Sequence, residues 1–309
     1  MIFHVAPMMG YTDYYFRNLM HFLYEDKVKT YSEMIVDKAI IFNTEKTLTK
    51  HFCTLNKSVI QIAGSNPNEI SQCLNIINNI PYISEINFNL GCPSSRVQEN
   101  KLGLALTQYP EQVNNCLKEF SKSKKIVSVK CRLGLGLDED QDYIYNFLNM
   151  FKSNNIGKVI IHCRNGVLNL NTKKNRTIPN INYKLFLKCL KDFPDIQLIP
   201  NGEINNLDII NNFNKHNITD VMIGRKFSDE SLFLHNNGIS KINDIDSKVI
   251  NYLSFILQYP IVKKNLIQKS LLTLLTNLKD SKKYKKKILN TKTIDEILSI
   301  FQKREIIWS

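Results

Sequence analysis

Eight short runs rich in β-forming residues recur through the first 226 residues, spaced too widely for hairpins and separated by segments of helical period. That alternation constrains the fold more than any other feature of the chain. The runs are 2–8 (IFHVAPM), 28–34 (VKTYSEM), 58–64 (SVIQIAG), 85–91 (EINFNLG), 126–134 (IVSVKCRLG), 158–164 (KVIIHCR), 196–202 (IQLIPNG) and 220–226 (DVMIGRK). Between them, 13–25, 67–79, 109–123, 142–154 and 183–193 carry apolar residues near i, i+3, i+4 and i+7. Strand and helix alternating eight times over about 230 residues predict an α/β fold, a (β/α)8 barrel. An open doubly wound sheet is the alternative, because periodicity alone does not show closure.

The polar residues discriminate between the two. Pro7-Met8-Met9, Glu33, Gln61, Asn89 to Cys92, Lys130 with Arg132, His162 with Arg164, Asn201-Gly202 and Gly224-Arg225 all fall at the C-terminal ends of the runs or just beyond. If the sheet closes they converge on one rim, where barrels build their sites. An open sheet would scatter them along an edge.

Past residue 238 the pattern becomes helical, which predicts a barrel domain over 1–238 and a small all-helical domain over 239–309. A chain of 309 residues that is 43% hydrophobic can bury a core of that size, and its composition excludes a disordered, collagen-like or disulfide-stapled protein. No apolar run reaches the length of a membrane span and the N-terminus lacks an export leader, so a soluble cytoplasmic protein is expected, without a membrane partner. Cysteines at 53, 73, 92, 116, 131, 163 and 189 are odd in number and lack the close pairs of a zinc site. Free thiols in a reducing compartment, and no metal, are expected.

The net charge of +13, from 41 Lys and Arg against 28 Asp and Glu, bears on partners and not on fold. Lys and Asn enrichment of the whole chain accounts for part of it. The densest cluster is Lys279, Lys282, Lys283, Lys285, Lys286 and Lys287 around Tyr284, open to two readings: a solvated helix face or a polyanion-binding face.

Asn87-Phe-Asn-Leu-Gly-Cys92-Pro-Ser-Ser-Arg96 is the most informative stretch, a strand ending in Asn and Gly and then a cysteine before proline in a polar loop. Cys53, Cys73, Cys116 and Cys189 read as small buried hydrophobes, and strand alternation turns Cys131 and Cys163 away from Lys130 and His162. Cys92 is left as the candidate acid or nucleophile. Lys130 and Arg132 share a strand face and call for a negative partner, a phosphate or an anionic ring; His162 and Arg164 repeat the pattern. Asn201-Gly202-Glu203 and Gly224-Arg225 end the seventh and eighth runs, where barrels often hold a phosphate on backbone N–H groups. No Rossmann or P-loop glycine fingerprint occurs.

Taken together, VAPMMGYTD, QIAGSNP, EINFNLGCPSSRVQENKLG, VSVKCRLG, IIHCRNG, PNGEI and VMIGRK closely resemble the tRNA-dihydrouridine synthases. LNTKKNRTIPNINYKLFLKCLKDFP and the C-terminal helices resemble the bacterial A-type branch, and the resemblance covers nearly the whole chain. It implies an FMN-containing barrel with a helical RNA-binding domain that reduces the C5–C6 double bond of uridine in the D loop of tRNA, at positions 20 and 20a, with NADPH as a transient reductant. Carried over, Pro7, Met8, Met9 and Gln61 contact the flavin ring, and Lys130 and His162 lie near its polar edge. Asn201, Gly202, Glu203, Gly224 and Arg225 hold the ribityl phosphate. Cys92 is the general acid, delivering a proton to C5 as hydride reaches C6; a thiol is acidic enough for this and a serine hydroxyl is not. Asn89 touches the target nucleotide. Lys173, Arg176, Lys282 and Lys285 match the tRNA-binding basic residues, the last two as Lys in place of Arg. Glu203 replaces a more usual glycine, so its carboxylate must point away from the phosphate or be paired. The expected partner is tRNA, bound by a monomer. A free-base dihydropyrimidine or dihydroorotate dehydrogenase would have no need of the basic segment 239–309, and an inert tRNA-binding protein would have no need of Cys92, Lys130 and His162.

Overall fold

The computed structural model describes residues 1–52, 58–259 and 261–308; Cys53, read as a structural thiol, lies outside them. Eight parallel strands close into a barrel in chain order: β1 (Ile2–Val5), β2 (Val28–Val36), β3 (Ser58–Ala63), β4 (Ile83–Asn89), β5 (Ile126–Arg132), β6 (Lys158–His162), β7 (Gln197–Asn201) and β8 (Asp220–Ile223). Helices Tyr14–Tyr24, Pro67–Asn78, Pro110–Phe120, Gln141–Ser153 and Tyr183–Asp192 occupy the anticipated stretches. Four of them open on a side-chain cap: Asp13, Asn66, Asp140 and Asn182 each accept from a backbone N–H of the first turn, at 3.0, 2.9, 3.2 and 2.8 Å. These caps satisfy donors that the helix itself leaves orphaned.

Alternation along β4 and β5 sorts the side chains between barrel interior and helical coat. Phe88 faces outward, its ring centroid 4.5 Å from that of Phe120 on helix Pro110–Phe120. Its neighbours Asn87 and Asn89, with Glu85, therefore share the opposite face. The register pairs Gln61 with Asn87, Asn87 with Ser128 and Asn89 with Lys130, so three strands bring their polar residues into contact.

Two features depart from expectation. Between β2 and β3 the chain forms two short helices, Asp37–Phe42 and Thr44–His51; the second, TEKTLTKH, has too few apolar residues for its period to show. Glu33, expected at the rim, lies inside β2, which runs on to Val36; it is buried, and a carboxylate oxygen sits 3.6 Å from His51 Nδ1.

The chain forms two compact units, one of residues 1–31, 204–219 and 223–309, the other of residues 32–203 and 220–222. In the first, the C-terminal helices Ile245–Leu257, Lys264–Leu272, Ser281–Leu289 and Ile294–Gln302 join the opening helix of the barrel. Phe22 meets Phe255 at 5.5 Å between centroids, Tyr14 stacks on Tyr259 at 4.5 Å, and Tyr15 Oη donates to the Ile261 carbonyl at 2.8 Å. Aromatic area of this kind supplies most of what holds such a helical layer in place. Among the described residues no helix is long and apolar enough to cross a membrane.

Candidate functional site

In the second unit the end of β4 carries Cys92 on a turn built by Asn89. The side-chain oxygen of Asn89 accepts from the N–H groups of Gly91 and Cys92 at 3.2 and 3.0 Å, and the Cys92 carbonyl accepts from Leu104 N–H at 3.1 Å. Gly103 must be glycine here: at φ +58, an added Cβ would lie 2.8 Å from the Cys92 carbonyl oxygen. The thiol packs beside Ala63, Val97 and Leu102, and its sulfur is 3.6 Å from Ser94 Oγ. Among the described cysteines Cys92 alone is not fully buried. Burial pushes the Cys116, Cys131 and Cys189 thiols up to about 12, and raises Cys73 and Cys163 further. Those five behave as apolar filler.

Gln61 and Asn89 are 1% and 7% exposed, and their amides bond each other: Asn89 Nδ2 donates to Gln61 Oε1 at 2.8 Å. The structure places both in the wall behind the Cys92 turn, with Asn201 likewise engaged, its Nδ2 donating to the Met222 carbonyl at 2.8 Å.

Lys130 ends the polar face of β5. Burial, and then the Arg132 cation, pull its ammonium down to about 8, and among the described residues no carboxylate or carbonyl accepts from it. Arg132, expected to share a negative partner with Lys130, instead donates to the carbonyls of Gly91 and Asn165, both at 2.9 Å, and burial lowers it to about 10. A guanidinium fork suits several carbonyls at once, and here it ties the Cys92 loop to the loop after β6. Lys130 is therefore a buried cation without an acceptor among the described residues. Its lowered value gives a sign. Charging Lys130 costs the folded protein stability below about pH 8, and the cost fades as pH rises toward the ordinary lysine value near 10.4. Lys130→Met should raise the thermal midpoint of the ligand-free protein at pH 7, with the gain shrinking by pH 10, while weakening anion binding. Paired melts at the two pH values check this.

His162 ends β6 against Gly202. That glycine has φ +114, and an added Cβ would lie 2.6 Å from His162 Cδ2 and 2.8 Å from Ile181 Cδ1. The register of β7 on β8, Asn201 against Met222, turns the Gly202 N–H toward the Met222 carbonyl, whereas the Glu203 N–H finds no protein acceptor among the described residues. Glu203 takes φ +51, a conformation that favours glycine, and its carboxylate pairs with the fully buried Arg164, which also donates to the Pro179 carbonyl. The pairing takes the Glu203 charge off the backbone donors beside it.

In the first unit the Pro7-Met8-Met9 turn is closed by Thr12, whose hydroxyl accepts from Met8 N–H at 2.8 Å; Met9 is 61% exposed. Gly224 lies close to this turn, with Met8 Sδ 3.3 Å from where a Cβ would be, and Arg225 beside it is exposed.

Lys173 and Arg176 are exposed on a turn locked by the buried Asn175, whose amide bonds Val167 N–H, Val167 carbonyl and Leu170 carbonyl, each at 2.8 Å. On helix Ser281–Leu289, Tyr284 points inward at 5% exposure, so the cluster offers charge without an aromatic face. Lys287 pairs with Glu305, whereas Lys282 and Lys285 have no carboxylate partner among the described residues.

Lys130 and the Glu203 N–H group are donors suited to the anionic edge and phosphate of a flavin mononucleotide. Among the described residues no group of three or more His, Cys, Asp or Glu is placed to hold a metal. Asn87 and Asn175 also organise these loops, and the sequence does not single them out as site residues; their signal is a polar residue at every second position of a strand, or an Asn inside a basic loop.

Residues 4–298 match the family model described as dihydrouridine synthase. Proteins named tRNA-dihydrouridine(20/20a) synthase are 31% identical over 208 residues in Pseudomonas putida, 32% over 223 in Synechocystis sp. and 30% over 226 in Shewanella oneidensis, covering 67%, 72% and 72% of this chain. The matched stretch spans 61% to 66% of those relatives' own length, a little under two thirds. A solved HMG-CoA lyase from Acenitobacter baumannii, in complex with coenzyme A and 3-methylmalate, covers 88% of this chain and 89% of its own at 12% identity and a TM-score of 0.47, a likeness too loose to bear on function. By its family match, over nearly all of its length, this chain belongs to the dihydrouridine synthases.

Proposed function

We propose that this protein reduces the C5–C6 double bond of uridine in the D loop of tRNA, at positions 20 and 20a, using FMN and NADPH. The observation that carries the reading is the partly exposed Cys92 thiol, held on an amide-built turn in a member of this family while the other described thiols are buried. When bound, the flavin supplies hydride for C6 of the uracil. Cys92 delivers the proton to C5 from the opposite face, meeting charge that develops toward C4 and C5, and its thiolate is then reprotonated from solvent. Lys130 and His162 would hold the anionic edge of the ring, and the turn after β7 would hold the phosphate through the Glu203 N–H. The resemblance assigns Met8, Gly224 and Arg225 to the same cofactor. Purified protein should carry a stoichiometric flavin spectrum; colourless protein that FMN does not reconstitute contradicts the reading.

A target uridine has to leave its stack to meet Cys92, so the rest of the tRNA is recognised through shape and phosphates. Lys173, Arg176, Lys282 and Lys285, exposed or partly so, are the proposed contacts. Replacing Lys282 and Lys285 together with Glu should weaken tRNA binding about tenfold or more, and lower the salt slope by roughly two charges' worth, without loss of flavin. Filter binding across a salt series checks this, and an unchanged affinity returns the cluster to a solvated face. Free thiols agree with a reducing, cytoplasmic setting.

A further inference from the structure

A chain of buried polar side chains runs through the second unit from its lower ion pair to the Cys92 turn. Lys158 Nζ lies 2.8 Å from Glu85 Oε2, a carboxylate with no solvent exposure. Ser128 Oγ donates to Glu85 Oε1 at 2.6 Å, Asn87 Nδ2 to Ser128 Oγ at 2.9 Å, and Gln61 Nε2 to Asn87 Oδ1 at 2.7 Å. Asn89 Nδ2 donates to Gln61 Oε1 at 2.8 Å, and Asn89 Oδ1 faces the N–H groups of Gly91 and Cys92.

Donor and acceptor chemistry gives this chain one direction. A carboxylate only accepts, so Ser128 must donate to Glu85 and is left with lone pairs for Asn87. Asn87 then turns its NH2 toward Ser128 and its oxygen toward Gln61; Gln61 turns its oxygen toward Asn89, and the Asn89 oxygen is left facing the loop. Backbone N–H groups only donate, so the far end demands the same orientation. A donor in place of Glu85 would run the amides the other way and set NH2 against N–H at the Cys92 turn, leaving buried donors unpaired.

We propose that Glu85, paired with Lys158, is a positioning residue: through Ser128, Asn87 and Gln61 it fixes which way the Asn89 amide points, and so where the Cys92 turn sits. The inference rests on Cys92 being the reacting thiol, but its test does not. In the FMN-loaded protein, amide hydrogen exchange should find Gly91 and Cys92 protected although both lie outside strand and helix; unprotected amides in the wild type would overturn the proposal, whether or not any variant folds. Glu85→Gln, which keeps the shape and can reverse the chain, and Ser128→Ala, which interrupts it, should each cut that protection about tenfold, the effect of one net hydrogen bond. Iodoacetamide labelling of Cys92, read by peptide mass spectrometry, should speed up by a similar factor. Ile86→Val, a core truncation on the other face of the same strand, should leave both readouts unchanged. Equal exchange and labelling in folded Glu85→Gln and Ser128→Ala would overturn the proposal, as would an Ile86→Val effect of the same size. Failure of the wild type to form dihydrouridine would contradict the functional reading while the exchange and labelling still report on the relay.

Discussion

Cys92→Ala should bind FMN and oxidise NADPH at nearly the wild-type rate yet form dihydrouridine roughly 10²–10⁴-fold more slowly, the usual worth of a general acid. The separation follows from where the residue sits. Cys92 packs against Ala63, Val97 and Leu102, its sulfur also reaches the partly exposed Ser94 Oγ, and its backbone N–H and carbonyl make bonds that alanine keeps. Truncating the sulfur removes a partly exposed group and leaves no buried partner unsatisfied, so stability should change little. Cys92→Ser should be nearly as slow, because a hydroxyl in the same place is a far weaker acid. Quantifying dihydrouridine by mass spectrometry alongside NADPH consumption checks both variants, and full activity in either contradicts the assignment.

Gly202→Ala should act on the cofactor instead of the proton. At φ +114 an alanine is strained by about 1–3 kcal/mol before any contact is counted. Its Cβ would also meet the His162 ring and Ile181, so the His162 side chain must shift or the loop after β7 must lift. Either movement displaces the Glu203 N–H group. The expected outcome is a lower thermal midpoint together with a loss of FMN affinity of about tenfold or more, measured by flavin release on dilution. Glu203→Gly is the instructive contrast. It relieves the left-handed backbone at φ +51 but strips the buried Arg164 of its carboxylate, so melts should show net destabilisation despite the easier turn.

Much of the barrel was legible because two periods carry it. Outward residues such as Ile86, Phe88 and Val129 alternate with inward ones along each strand, and the helices between repeat on a different period, so strands and most helices could be bounded from the chain alone. The helices between β2 and β3 could not, because TEKTLTKH has almost no apolar stripe to show. Cys92 and Lys130 stood out as a thiol before proline and a cation ending a β run. The network behind them did not. Gln61, Asn87 and Ser128 become neighbours only through the register of three strands separated by intervening helices, and register is a tertiary fact. Charge on a strand suggests an anionic partner for Arg132; its partners are carbonyl oxygens of loops whose path the sequence does not reveal.

The most direct test of the central claim is to map dihydrouridine in an unmodified tRNA transcript after incubation with the purified protein, FMN and NADPH. The account predicts reduction of D-loop uridines 20 and 20a that disappears when FMN is withheld or Cys92 is replaced by alanine. Flavin-bound wild-type protein that consumes NADPH and binds the transcript, yet leaves every uridine intact, would contradict it.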